Sequence, residues 1–229
     1  MSYNDESLNL QIRNNSKDDA LVRLVFPKLT KQLSRDRSVG ILLAAIACYA
    51  TDGIEKSTYE MIARRAQVSR PLLFKYFEDY DDIFDRAASL IRHHFQSYTS
   101  SAVENEHQPS RKLATYLTSA FDWMELHPDF ARGHLLFLQR CSRSQRERDL
   151  NSEVAENARQ RIATLIQSSS AAQRFEVKDL DKTARRIHSI LSAGMVTLLT
   201  ENIENEMAVR EDMLSFCQSL IRVRPVAKG

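Results

Sequence analysis

Apolar residues recur every three or four positions through most of this chain, which is the spacing of amphipathic α-helices. No alternating run of apolar and polar residues stands out, as a half-buried strand would require. Only five glycines and five prolines interrupt the 229 residues. The pattern therefore predicts an all-α protein.

Polar breaks, glycines and prolines divide this pattern into successive helices. The first predicted helix, 35–51, is apolar on nearly all faces, as expected of a helix buried between others, and Asp52 and Gly53 end it. A long amphipathic helix is predicted from 81 to about 101, which corresponds to about 30 Å. Further helices are predicted at 110–127, 128–140, 144–168, around 184–198 and at 206–222, with Ser144 and Glu147 fitting a capping box.

A stretch beginning at Ser57 has the pattern of two short helices joined by a tight turn, with a third helix after them. Ser57 or Thr58 can cap the first short helix, and Ser69 can cap the second. Pro71 falls near the first position of that second helix, where its missing N–H costs nothing. The small Ala63 permits two helices to cross closely through a turn of 3–4 residues. This arrangement indicates a DNA-binding helix-turn-helix.

Residues 37–84 also contain an ordered series of short motifs. They are Ala44-Ala45, Gly53, Thr58, Ile62-Ala63, Val68-Ser69, Leu73-Phe74-Lys75-Tyr76-Phe77 and Asp81-Asp82-Ile83. In this order they resemble the DNA-binding domain of the TetR family of bacterial transcriptional regulators. Matching a whole ordered series is far more specific than matching any single pair.

Three positions depart from the family's pattern. Gln67 stands at the usual turn glycine, Phe74 at the usual phosphate-contacting tyrosine, and Tyr80 at a usual lysine. If the turn requires a left-handed residue, Gln67 costs roughly 1–2 kcal/mol relative to glycine. The other two changes remove a phosphate donor and a cation.

The resemblance implies an N-terminal three-helix helix-turn-helix domain and a C-terminal helical domain for ligand binding and dimerisation. We expect the DNA-binding domain at 34–80, the helical regulatory domain at 81–229, and an N-terminal extension at 1–33. Within that extension, residues 18–26 favour a short amphipathic helix. The basic residues that follow fit either a solvated linker or an arm that touches DNA, and they are Lys28, Lys31, Arg35 and Arg37.

The first turn of the second short helix is expected to face base edges. Arg70 can pair with both guanine acceptors in the major groove, and Pro71 can offer an apolar contact. The candidates for phosphate contacts, by their donors and by their place in the resembled motif, are Thr58, Ser69, Lys75 and Tyr76.

The C-terminal domain is rich in aromatic and histidine side chains. They fit either an ordinary core or an apolar ligand cavity with a few polar anchors. The candidates for ligand contact are Tyr98, Tyr116, Trp123, His127, His134 and Phe137. The resemblance implies a small-molecule effector in this domain. It also implies a homodimer formed by the last two long helices, although their apolar stripes can equally close the monomer's own core.

Charge and composition limit how the protein can bind DNA and in which cellular compartment we expect it. A net charge of +2 gives no global basic signal, so DNA affinity has to come from a local cluster. The odd number of cysteines, Cys48, Cys141 and Cys217, and the absence of a CxxC pair favour a reducing cytoplasm. The longest apolar run, 41–50, is half a membrane span, and the first residues contain no secretory signal.

No catalytic or metal-binding motif is recognisable in the sequence, so we expect no enzyme activity, cofactor or metal. The sequence thus predicts a cytoplasmic transcriptional regulator that binds double-stranded DNA. We expect a repressor that a small molecule releases from a pseudo-palindromic operator. The alternative is a protein-interaction or DNA-anchoring module whose helical domain docks a partner.

Overall fold

The computed structural model describes residues 35–171 and 177–221. Secondary structure within these ranges is helical throughout, which confirms the predicted all-α fold. The expected helix at 18–26 and the basic residues Lys28 and Lys31 lie outside the described residues.

Nine α-helices and one short 3₁₀-helix make up the described part of the chain. They are α1 Arg35–Asp52, α2 Tyr59–Arg65, α3 Arg70–Tyr76, α4 Tyr80–Asn105, the 3₁₀-helix Pro109–Arg111, α5 Lys112–Leu126, α6 Pro128–Cys141, α7 Gln145–Ala171, α8 Leu180–Thr200 and α9 Glu206–Ser219. Each predicted helix in these ranges is present, with ends displaced by a few residues.

The chain divides into two compact units, one ending at His93 and the other beginning at His94. The division falls inside α4. The predicted domain boundary at 80/81 lies instead at the start of α4, and it stays a prediction.

Helix α1 supplies much of the core of the first unit. Ile41, Leu42 and Ala45 are fully buried, and Ile46 is 1% exposed. Burying each of the three large aliphatic side chains contributes about 1.5–3 kcal/mol. The all-round apolar character of this helix in the sequence is therefore explained by burial between its neighbours.

The second unit is built around α8, which packs along α7 and also contacts α9. Gly194 marks the close approach of α8 and α9, because a Cβ at this position would lie 2.2 Å from the sulfur of Met213. Arg210 of α9 is paired with Glu125 of α5 at 2.9 Å. These contacts fix α9 against the rest of its unit. None of the described helices combines the length and apolar character that a membrane span requires.

The capping box predicted at Ser144 is only half formed. The Ser144 hydroxyl accepts a 3.4 Å hydrogen bond from the backbone N–H of Glu147, which caps α7 as expected. The Glu147 carboxylate, however, does not return to Ser144 but pairs with Arg140 at 2.7 Å. The prediction of a reciprocal capping box was therefore wrong. The physical reason is that a charge-assisted hydrogen bond between a carboxylate and a guanidinium is stronger than one between a carboxylate and a neutral backbone N–H.

Two residues in the described part of the first unit have a left-handed backbone. Gly53, after α1, has a φ of 81°, and Gln67, between α2 and α3, has a φ of 54°. The turn therefore does require the conformation for which glycine is usual. A side chain other than glycine is disfavoured there by a contact between its Cβ and the carbonyl oxygen.

We expect Gln67→Gly to stabilise the protein by up to about 1 kcal/mol, because relief of 1–2 kcal/mol of backbone strain exceeds the added entropy of the unfolded chain. Urea unfolding followed by circular dichroism measures the change. Gly53→Ala is the matched control and should lower the free energy of unfolding by about 1 kcal/mol. A Gln67→Gly protein that unfolds more readily than the parent would contradict the expectation.

Candidate DNA-reading face and aromatic cluster

The turn between α2 and α3 is held by short-range backbone contacts. Thr58 caps α2 by accepting a hydrogen bond from the backbone N–H of Met61 at 3.3 Å. Ala63 is 4% exposed, and its carbonyl accepts a 2.9 Å bond from the N–H of Val68. Leu73 of α3 is fully buried. These contacts leave the first turn of α3 at the surface.

Ser69 is the N-cap residue of α3, as predicted, but its hydroxyl makes no capping hydrogen bond. Its backbone is extended, with a φ of −76° and a ψ of 146°, and its carbonyl accepts from the N–H of Leu72 at 2.9 Å. Pro71 follows at the second helical position, where a missing N–H leaves no helical bond unmade. The exposed Ser69 hydroxyl can therefore donate to a group outside the protein.

Most of the residues predicted to contact DNA lie at the surface. Thr58, Ser69, Arg70, Pro71 and Lys75 are all exposed. We call these five residues the DNA-reading face, and their contact with DNA stays a prediction.

Tyr76, the sixth predicted contact, is 8% exposed and lies 6.4 Å from the ring of Phe77. Little of its side chain is on the surface, since the ring contributes to the core of the first unit. A phosphate contact from its hydroxyl stays a prediction.

Arg70 is held by contacts from both helices of the motif. Its guanidinium pairs with the carboxylate of Glu60 in α2. The same guanidinium lies 5.6 Å from the ring centroid of Tyr59 and 6.0 Å from that of Phe74. Guanidinium groups at such distances are attracted to the faces of aromatic rings. Arg70 is therefore oriented in the absence of DNA.

The two aromatic departures from the family's pattern have structural roles here. The Tyr80 hydroxyl donates toward the carbonyls of Ile54 and Ser57, at 3.0 and 2.7 Å. Phe74 remains 49% exposed, and its ring centroid is 5.0 Å from that of Tyr59. Tyr80 thus secures the segment before α2, and Phe74 forms part of the surface beside Arg70.

A second group of aromatic side chains lies in the unit that begins at His94. The Trp123 indole N–H donates to Nδ1 of His94 at 2.8 Å. His127, between α5 and α6, lies 4.5 Å from the His94 ring and 5.8 Å from the Tyr98 ring. Phe130 completes the group at 4.7 Å from His94. We call these five residues the aromatic cluster.

Both histidines of the aromatic cluster favour the neutral form. Burial, with a smaller contribution from His127, lowers the pKa of His94 to about 4. Burial also lowers the pKa of His127. Because Nδ1 of His94 accepts from Trp123, the neutral ring carries its proton on Nε2. The cluster is thus uncharged near neutral pH and offers a donor on an aromatic surface.

The six predicted ligand contacts are distributed over several parts of the second unit. Tyr98, Trp123 and His127 meet in the aromatic cluster, whereas Tyr116 and Phe137 are core side chains, each 2% exposed. His134 lines a separate cavity of about 30 Å³ between α6 and α8. That volume is room for about one water molecule, too little for an organic effector.

Comparison with known proteins identifies the first unit. Residues 41–87 match the family model described as bacterial regulatory proteins of the tetR family. The match covers most of α1, all of α2 and α3 and the start of α4, and thus all five residues of the DNA-reading face. This part of the chain therefore matches the DNA-binding domain of the TetR family.

Solved structures extend the similarity of fold beyond the matched domain. A proposed TetR-family regulator from Rhodococcus sp. has 20% identity and a TM-score of 0.70, with 81% of this chain and 98% of that chain covered. A proposed transcriptional regulator from Saccharomonospora viridis, in complex with choline, has 18% identity, coverage of 84% and 100%, and a TM-score of 0.75. A TetR regulator from Haloarcula marismortui has 15% identity, coverage of 82% and 100%, and a TM-score of 0.70.

A search of curated proteins finds no match to this chain. The structural similarities, all at low sequence identity, show a TetR-type fold for the second unit as well.

Sequence reasoning missed four residues of these two candidate sites, among them Phe130 of the aromatic cluster. Glu60 and Tyr59 contact Arg70, and His94 accepts the Trp123 hydrogen bond. Glu60 and Arg70 are ten positions apart on different helices, so no helical spacing relates them. His94 carried only a weak signal, because the adjacent pair His93-His94 diverges around a helix. No group of three or more metal-ligating side chains occurs among residues 35–171 and 177–221.

We expect acid to destabilise this protein through His94. A neutral buried histidine takes up a proton when the chain unfolds, so its contribution is fully present above pH 6.5 and is lost as the pH falls toward 4. The loss amounts to about 3 kcal/mol, and His127 acts in the same direction. Urea unfolding of the parent and His94→Gln at pH 7.5, 6, 5 and 4 measures it.

The variant should lose less stability than the parent over this range. His93→Gln, which removes the neighbouring imidazole from α4 outside the aromatic cluster, is the matched control. A His94→Gln protein with an unchanged acid response would contradict the assignment.

Proposed function

We propose that this protein is a homodimeric transcriptional repressor that binds a pseudo-palindromic operator and releases it when a small molecule binds the second unit. The DNA-reading face carries the proposal. It combines an oriented Arg70 at the first turn of α3 with exposed donors at Thr58, Ser69 and Lys75. Such a set suits base contact by the arginine and phosphate contact by its neighbours.

Dimerisation is supported by apolar surface on the last helix. Met207 and Phe216 of α9 are 62% and 55% exposed. The two side chains lie on opposite sides of α9, because nine positions are about two and a half helical turns, so each offers a separate apolar contact to a partner copy. Two copies related by a two-fold axis would present two copies of α3, which is the arrangement that reads a pseudo-palindrome.

The aromatic cluster is the proposed effector site. Choline is bound in the similar regulator from Saccharomonospora viridis, and quaternary ammonium groups are recognised by the faces of aromatic rings. In the present chain, the neutral forms of His94 and His127 avoid placing a positive charge beside a cationic ligand. We therefore propose an organic cation as the class of effector.

The cluster is well packed, and Trp123 is only 1% exposed. Entry of a ligand requires its less buried members, such as Tyr98 and His127, to move. An effector releases DNA to the extent that it binds the conformation with the lower DNA affinity more tightly. We propose that the effector displaces the packed rings of the aromatic cluster, and that it therefore binds the displaced conformation more tightly than the packed one.

Arg70 and Lys75 should contribute to DNA binding in different ways. Arg70→Ala should cost about 1–3 kcal/mol on the preferred site and relax selectivity at one base pair. Lys75→Ala should weaken binding to every sequence alike and reduce the slope of log affinity against log salt by about one. Selection from a randomised duplex library, followed by fluorescence anisotropy at several salt concentrations, measures both effects.

Lys178→Ala, which removes an exposed lysine of the second unit, is the control for a change of net charge. Recovery of an inverted repeat by the parent is the expected result. Failure of the parent to enrich any sequence would favour the alternative, in which the helical domain docks a partner and DNA serves at most as an anchor.

We expect Tyr98→Ala to weaken binding of choline, used as the probe, by about fivefold, since one aromatic contact to a cation contributes about 1 kcal/mol. Isothermal titration calorimetry of the DNA-free protein measures the affinity. His134→Ala changes the separate cavity and should leave it unaffected. Equal choline affinity in the parent and Tyr98→Ala would exclude the aromatic cluster as the site.

A further inference from the structure

The ion pair between Glu60 and Arg70 joins the two helices of the DNA-binding motif. Glu60 lies in the first turn of α2, and Arg70 is the first residue of α3. The side chains remain 62% and 53% exposed, so a ligand outside the protein can reach both. An acidic residue in direct contact with the base-reading arginine requires an explanation, because DNA is itself an anion.

The rings beside the pair restrict the arginine further. The Arg70 guanidinium is within 6.0 Å of the ring centroids of both Tyr59 and Phe74, and those two centroids are 5.0 Å apart. One ring comes from α2 and the other from α3. Together with the carboxylate, they give the guanidinium three contacts, from both helices, that limit its rotamers before DNA arrives.

The guanidinium keeps donors available in this arrangement. Glu60 accepts from one terminal nitrogen, Nη1, whereas a guanidinium has five N–H groups. A guanine edge needs only two of them. Arg70 can therefore pair with guanine without first abandoning Glu60.

Two roles for Glu60 follow from this geometry. It can hold Arg70 away from DNA, or it can orient Arg70 for DNA. An exposed ion pair is worth little energetically and would hold the arginine away only weakly. To orient Arg70, in contrast, Glu60 has only to reduce the number of conformations that the Arg70 side chain loses when it binds DNA. The rings of Tyr59 and Phe74 contribute to the same restriction.

We propose that Glu60 is a positioning residue that pre-orients Arg70 on the Tyr59 and Phe74 rings and thereby sharpens recognition of one guanine in the operator. The inference rests on the proposed function, since it requires a sequence-selective protein.

The test compares the parent, Glu60→Ala, Arg70→Ala and the double variant. Library selection with the parent identifies the preferred site and the base pair that Arg70→Ala no longer selects. Fluorescence anisotropy then gives the affinity of each protein for that site and for the same duplex with this base pair changed. The ratio of the two affinities is the selectivity at that position.

We expect Glu60→Ala to reduce this ratio by about threefold to tenfold, and to have no further effect on it in the Arg70→Ala background. Glu60→Gln, which keeps an acceptor, should retain more of the ratio than Glu60→Ala. Glu78→Ala removes another exposed carboxylate of the same unit and should leave the ratio unchanged. The affinity ratio does not report on folding, so thermal unfolding of each variant is used to check that the fold is preserved.

Two other results would overturn the inference. If Glu60→Ala binds all duplexes more tightly but keeps the parent's ratio, Glu60 only repels phosphate, and the positioning role fails while the proposed function stands. If the parent itself selects no sequence, the proposed function fails, and the inference fails with it.

Discussion

The close crossing of α2 and α3 is the constraint on which the DNA-reading face depends. It requires a small residue at Ala63, a left-handed residue at Gln67 and the backbone bond from Val68 to Ala63. Once these are in place, the buried Leu73 fixes the rotation of α3 about its own axis. Arg70 must then emerge beside α2. The pairing of Arg70 with a carboxylate of the other helix is thus a consequence of how tightly the turn is made.

The first unit contains a strained turn at Gln67, and its hydrophobic core compensates for that strain. A left-handed Gln67 costs roughly 1–2 kcal/mol, and a single buried aliphatic side chain contributes a similar amount. Helix α1 provides several such side chains, among them Ile41 and Leu42. The core can therefore support an unfavourable turn residue. The Tyr80 hydroxyl adds two further contacts to the segment before α2, where the family pattern has a cation.

Local signals accounted for the helices, the turn and the exposure of most residues predicted to contact DNA, because each depends on residues close together in the chain. The periodicity of α1, the cap at Thr58 and the small Ala63 are properties of short segments. Contacts between helices were not predictable in this way. The pairs Glu60–Arg70 and His94–Trp123 join residues 10 and 29 positions apart, and the partner of each is set by the crossing of helices. Tyr76 shows the same limit, since its donor suggested a surface role and packing placed its ring in the core.

Charge distribution explains why orientation should matter to this protein. Its net charge is only +2, and the DNA-reading face contains just two cationic side chains, Arg70 and Lys75. Affinity from released counterions grows with the number of phosphates neutralised, so such a face gains little from general electrostatic attraction. When a protein is only weakly attracted to DNA of any sequence, non-specific sites compete less for it. Its affinity for the specific site then depends on a few well-formed contacts. Under that condition, fixing the conformation of one arginine in advance improves selectivity more than adding a cation does. An additional cation raises the affinity for every sequence, whereas the oriented arginine raises the affinity for the preferred sequence alone.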